Sequence, residues 1–130
     1  MAGLTNYAED LVLDWLFTNA SATRPTSWYV GLYTVAPGEG GGGTEVSGGS
    51  YARTAATFTV SGTAPTTASN SAAVEFPEAS ASWGTVVAAG IFDASTSGNL
   101  IAFATLTTSK AIDTGDVLRF NTGALDITLD

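Results

Sequence analysis

The segment that decides the fold is Trp28–Val60, WYVGLYTVAPGEGGGGTEVSGGSYARTAATFTV. Trp28, Val30, Leu32 and Thr34 alternate with Tyr29, Gly31 and Tyr33, the two-residue period of a strand with one face on a core. Arg53, Ala55, Thr57 and Thr59 alternate in the same way with Ala52, Thr54, Ala56, Phe58 and Val60. Between the two runs lies a glycine-dominated loop, residues 36–50. Connections of this length in compact domains carry function or stay disordered. The segment therefore predicts a hairpin-like pair of strands carrying a long mobile excursion.

C-terminal to it, short apolar runs and turn signals alternate. Residues 61–71 are rich in Thr, Ser and Ala and read as a loop or weak strand. Ala73–Phe76 is a short strand stopped by Pro77, and Ser80–Trp83 is a bend. Thr85–Phe92 and Leu100–Leu106, joined by an Asp93–Asn99 turn, read as a central antiparallel hairpin buried on both faces over part of its length. Gly90 within it signals a bulge or a close backbone approach. Val117–Phe120 follows an Asp-Thr-Gly-Asp turn, and Leu125, Ile127 and Leu129 alternate with Asp126, Thr128 and Asp130 as a half-buried last strand.

N-terminal to it, residues 5–18 read as one helix, with Asn6 as N-cap and Glu9 as its capping-box partner. Leu4, Ala8, Leu11, Val12 and Trp15 form an apolar stripe at 100° per residue. Leu13 and Phe17 fall off that stripe, to be covered by the following loop or by a second subunit. One helix and six to eight short strands predict a mainly β protein, an antiparallel β-sandwich or jelly-roll-like barrel. A single domain, residues 1–130, is expected, with the sandwich over about 27–130.

Composition narrows the function. Net charge is −8, with four Lys and Arg against twelve Asp and Glu. A surface this acidic repels a phosphate backbone, so no nucleic-acid partner is expected. The chain has no Cys and no His, which removes the commonest nucleophile–base pairs and the soft metal ligands. The acid pairs Asp113/Asp116 and Glu75/Glu78 sit beside turn residues and read as solvated. Gly38, Gly40 and Gly43 match G-x-G-x-x-G only inside an oligoglycine run, without the following helix that a phosphate site needs. No catalytic residue, cofactor or metal is expected. The first seventeen residues lack the basic start of a secretory signal, and no run is long enough to span a bilayer. A soluble protein with no membrane partner, made in a cytoplasm, is expected.

The run Arg24-Pro-Thr, Tyr29–Thr34, Pro37, Gly43-Thr-Glu-Val-Ser-Gly-Gly49 and Tyr51-Ala-Arg53 resembles a family of small virion structural proteins of tailed bacteriophages. The likeness continues through Trp83-Gly-Thr-Val, Gly90-Ile-Phe-Asp93 and Gly123–Asp130, so it spans essentially the whole chain. Such proteins are described as tail fibre-like or as capsid cement (decoration) proteins. The resemblance implies a non-enzymatic virion part, assembled in the bacterial host cytoplasm. The first expectation is a homotrimeric cement protein bridging subunits of the major capsid protein; the alternative is a fibre, baseplate or spike module of the tail. Large aromatics at strand ends suit protein interfaces. The interface candidates are Leu13, Phe17, Trp28, Tyr33, Glu45, Val46, Tyr51 and Arg53, with Tyr51 and Arg53 anchoring the loop base.

Overall fold

A computed structural model describes residues 3–129. Strand makes up 44% of the described residues against 9% helix, so the molecule is mainly β with one helix near its N-terminus. In chain order the elements are β1 (Gly3–Leu4), α1 (Asn6–Phe17), β2 (Trp28–Val35), β3 (Thr44–Glu45), β4 (Thr54–Ala56) and β5 (Phe58–Ser61). They continue as β6 (Thr66–Asn70), β7 (Val74–Glu75), β8 (Gly84–Phe92), β9 (Leu100–Ile112), β10 (Arg119–Phe120) and β11 (Asp126–Leu129). The main sheet runs β1-β9-β8-β2-β3, with β4 also on β2. A β11-β6-β5 sheet and a β10-β7 pair complete the fold, and every pairing is antiparallel. The sheets stay open, so the expected alternative of a barrel does not form.

The alternation read in β2 holds, but both of its faces are covered. Val30 and Leu32, each 0% exposed, point into the larger core with Val74, Phe76, Trp83, Val86 and Leu118. Tyr33 points the other way, against Ala88 and Phe92. The second cover was not evident from β2 alone, because Gly31 and Tyr33 look like a solvent face until Phe92 and Leu100 are brought over them. Gly90 marks a close approach rather than a bulge: a Cβ there would lie 2.6 Å from Leu100 Cδ1 and 3.0 Å from Tyr33 Cε2. The register shifts of β8 against β9 fall instead between Val86 and Ala88 and between Ile91 and Phe92.

The second alternating run divides. Thr54–Ala56 pairs with Trp28–Val30, after which the chain leaves at Thr57 and Phe58–Ser61 pairs with β6. Residues 66–70, read as a loop or weak strand, form the central strand of that sheet because both neighbours supply ladder bonds. Strand β9 runs to Ile112, six residues past its expected end, and includes Lys110. Asn70, 1% exposed, secures this part of the fold. Its Nδ2 donates to the carbonyls of Ala72 and Asn121, both at 2.9 Å, and its Oδ1 accepts from the Leu125 amide at 2.9 Å.

The N-cap of α1 is Thr5, one residue before the expected Asn6. Thr5 is 2% exposed; its amide donates to Ile101 O at 2.9 Å and its hydroxyl to Leu100 O at 2.6 Å. Those bonds to β9 fix the residue in extended conformation, so the helix starts after it, with Thr5 Oγ1 accepting from Ala8 N. Of the expected stripe, only Ala8 is buried within the helix; Leu11 and Val12 are half-buried and Trp15 is 71% exposed. The helix touches the sheet at its N-terminal half and projects beyond it.

Asn70→Ala strands the Leu125 amide and two carbonyls at the join of β6 with the C-terminal segment. We expect a loss of about 2 kcal/mol in urea unfolding, with Asn70→Asp recovering only part of it. An unchanged midpoint for Asn70→Ala would contradict the role assigned to this side chain.

Candidate functional site

The loop between β2 and β4 is not loose at its base. β3 pairs Glu45 with Tyr33, and the Val46 amide donates to Leu32 O at 2.9 Å. This brings the Glu45 carboxylate under Arg53, which enters from the residue before β4. Arg53 Nε donates to Glu45 Oε2 at 2.9 Å and its second terminal nitrogen to Oε1 at 2.8 Å, a bidentate pair. The remaining terminal nitrogen reaches the carbonyls of Ala94 and Ser97 at 2.9 and 2.8 Å. The guanidinium carbon lies 3.4 Å above the centre of the Phe92 ring. One arginine thus joins the glycine-rich loop, the β8–β9 turn and the aromatic layer.

Tyr51 completes the cluster. Its hydroxyl donates to Glu45 Oε2 at 2.7 Å and accepts from the Leu32 amide at 2.9 Å. Its ring meets Trp83 edge-on at 5.4 Å, and Trp83 Nε1 donates to Gly49 O at 2.8 Å. Gly31 makes room: a Cβ there would sit 2.8 Å from Phe92 Cε2, 3.0 Å from Glu45 Oε2 and 3.2 Å from the Tyr51 hydroxyl. Gly43, at φ +74°, is held by backbone instead, since a Cβ would lie 2.5 Å from Val35 O. Glu45, Tyr51 and Arg53, expected as interface residues with the last two anchoring the loop, are bonded to one another within the chain, while Phe92 and the steric need for Gly31 were not expected. A glycine amid β-branched and aromatic residues of one strand was the available signal.

Burial pushes the Glu45 carboxyl up, but the Arg53 and Tyr51 hydrogen bonds outweigh it and hold the group below its ordinary value. The Tyr51 hydroxyl is raised, first by burial and then by its bond to Glu45. Arg53 is raised chiefly by its bond to Glu45. All three therefore hold their ordinary charge states near neutrality. The three side chains hold one another and the neighbouring backbone, an arrangement that clamps the base of the loop.

Of the other interface candidates, Tyr33 and Val46 are 5% exposed and packed inside the chain, and Trp28 is half-buried. Leu13 and Phe17 are at the surface, 56% and 77% exposed, and the loop after the helix does not cover them. Leu16, 58% exposed, joins them on one face at spacings of three and four residues. Each such side chain forgoes about 1.5–3 kcal/mol of burial, and the three make an apolar face open to solvent. Asp113 and Asp116 form a turn, Asp116 accepting from the Asp113 amide at 2.8 Å, whereas Glu75 lies in β7, exposed and 3.6 Å from Arg119 on β10. The oligoglycine run closes on itself through a Gly38–Gly41 bridge and leads into β3, not into a helix. No helix is long and apolar enough to cross a membrane, and no cluster of three or more potential metal ligands occurs, among the described residues.

The profile of the family described as "Podophage GP4 fiber I protein gp80" matches residues 3–128. The match covers nearly the whole chain, and the chain belongs to that family of phage virion structural, fibre-like proteins. No curated protein matches it.

Glu45→Gln keeps the shape of the clamp and removes its charge. We expect about 2–4 kcal/mol of destabilisation at pH 7, toward the low end because Glu45 is partly open to solvent. The folded carboxyl titrates below the unfolded one. Its contribution is therefore complete above the unfolded pKa, about 4.3, and is lost as pH falls through the folded value. Thermal unfolding followed from pH 7 to pH 3 should show the gap between wild type and variant narrowing on acidification. Parallel curves would contradict the coupling.

Proposed function

We propose that this fibre-family member serves as a structural module of the phage tail fibre, acting by adhesion to other virion proteins and not by catalysis. The observation that carries the reading is the match to a fibre protein family along residues 3–128. It favours the tail over the capsid surface, the location first expected from the sequence. The family match supports a virion part in either case, and the fibre description weights the choice.

The geometry is consistent with that role. The clamp spends Arg53, Glu45 and Tyr51 on one another and on neighbouring backbone, and Asp113 and Asp116 belong to a turn. A rigid body of this kind suits a part that transmits load. Its exposed Leu13, Leu16 and Phe17 supply the area through which it grips a neighbour. Repetition of such contacts along an assembly multiplies modest affinities into a stable structure.

Intact virions labelled with antibody against this chain, imaged by electron microscopy, test the location. Label confined to the tail supports the proposal, as does a copy number of the order set by fibre symmetry. Label spread over the head, with copies comparable to the coat protein, would return the reading to capsid cement. Incubation of the purified chain with host surface polysaccharide should release no sugar; measurable release would refute the non-enzymatic assignment.

A further inference from the structure

We propose that the exposed face of α1 seats in an open apolar groove of a second copy of this chain, joining copies head to tail. The groove, about 650 Å³, opens beside β9 where β10 and β11 pass it. Leu118, Leu125 and Ile127 are among its apolar walls, and Lys110 and Arg119 stand at its rim with Asp126. No residue of α1 lines it, so helix face and groove are separate surfaces of one molecule.

Charge selects the occupant. Glu9 and Asp10 precede Leu13 by four and three residues and so share its helix face with Leu16 and Phe17. Residues 6–17 contain no Lys or Arg. The chain has four cationic side chains in all; Arg53 is held by Glu45, and two of the others, Lys110 and Arg119, stand at this groove. Arg119 is held only loosely by Glu75, at 3.6 Å with both side chains more than half exposed. Asp126 is itself bonded by the Ser69 hydroxyl. An apolar helix end with acids behind it thus matches an apolar groove with bases at its lip. Packing two α1 helices face to face would instead leave the acids of both copies without a cationic partner, since residues 6–17 supply none.

A knob and a hole on different faces make a heterologous contact, which closes into a ring or grows into a filament. This goes beyond the fibre assignment, since it concerns contacts between copies and holds wherever the assembly sits on the particle.

Sedimentation velocity on the purified chain, from about 10 µM to about 1 mM, tests the idea with two variants. One, Leu13→Asp/Phe17→Asp, spoils the helix face; the other, Lys110→Glu/Arg119→Glu, spoils the groove. All four positions are exposed, and circular dichroism checks that both variants fold. Wild type should associate beyond a dimer as concentration rises, and each variant alone should stay monomeric. An equimolar mixture of the two should form a dimer that grows no further, because only one intact knob meets one intact hole. Adding Glu9→Lys/Asp10→Lys to the groove variant should restore association by exchanging the charges. A wild type that stays monomeric throughout would overturn the proposal, since another protein must then cover the helix. So would a groove variant that associates like wild type, or a mixture that remains monomeric.

Discussion

The bidentate pair between Arg53 and Glu45 is the constraint on which the rest of the structure depends. It closes a loop of fifteen residues, 36–50, whose glycines would otherwise leave it among the least ordered parts of the chain. The pair is effective because its surroundings complete it. Tyr51 satisfies the second carboxylate oxygen, two carbonyls of the β8–β9 turn satisfy the guanidinium, and Phe92 lies beneath it. A buried ion pair repays its desolvation only with that kind of supplementary bonding. The cluster also explains why the central strand is interrupted by Gly31, the position into which aromatic ring, carboxylate and phenol all converge.

Around this clamp the molecule divides its labour. Strands β2 and β8 are covered on both faces over much of their length and spend most of their side chains on internal packing, while β9 stays largely open. The helix contributes little to that packing. Thr5 pins its first turn to β9, while Leu13, Trp15, Leu16 and Phe17 remain in solvent. A chain that buries Tyr33, Val46 and Trp83 almost completely yet leaves four large apolar groups outside on one helix has the makings of an assembly part. The acidic surface keeps such a part from aggregating indiscriminately, since unlike patches attract and like ones repel.

How much of this was legible in the sequence follows from which signals are local. The period-2 run of β2, the continuous apolar run of β8 and the single helix are written in neighbouring residues, and they hold; the alternation of the last strand fails at Leu129, which is exposed. Tyr51 and Arg53 were expected to anchor the loop base, whereas Glu45, expected at an interface, is the carboxylate that both of them hold. The division of the second run at Thr57 was not, since the alternation is continuous through it and only the competing partner, β6, breaks it. Nor was the central position of residues 66–70, whose Thr-Thr-Ala-Ser-Asn sequence gains strand character from ladders on both sides. The exposure of Trp15 escaped for the same reason: helical periodicity gives a face, and only the tertiary fold says how far along the helix that face is covered. Among the interface candidates, Tyr33 and Val46 are taken up by the chain itself, whereas Leu13 and Phe17 stand clear of it.

A rigid, clamped scaffold carries an exposed apolar helix end. Amide hydrogen exchange on the dilute chain tests this most directly, because both halves of the claim are read from one experiment. The Leu32 and Val46 amides, bonded to Tyr51 and to Leu32 O, should be protected to nearly the level of global unfolding, and Arg53→Ala should lower Val46 protection by about a hundredfold or more. The last turn of α1 should exchange quickly in the same sample. Fast exchange at Val46 in the wild type, or protection unchanged by Arg53→Ala, would contradict it.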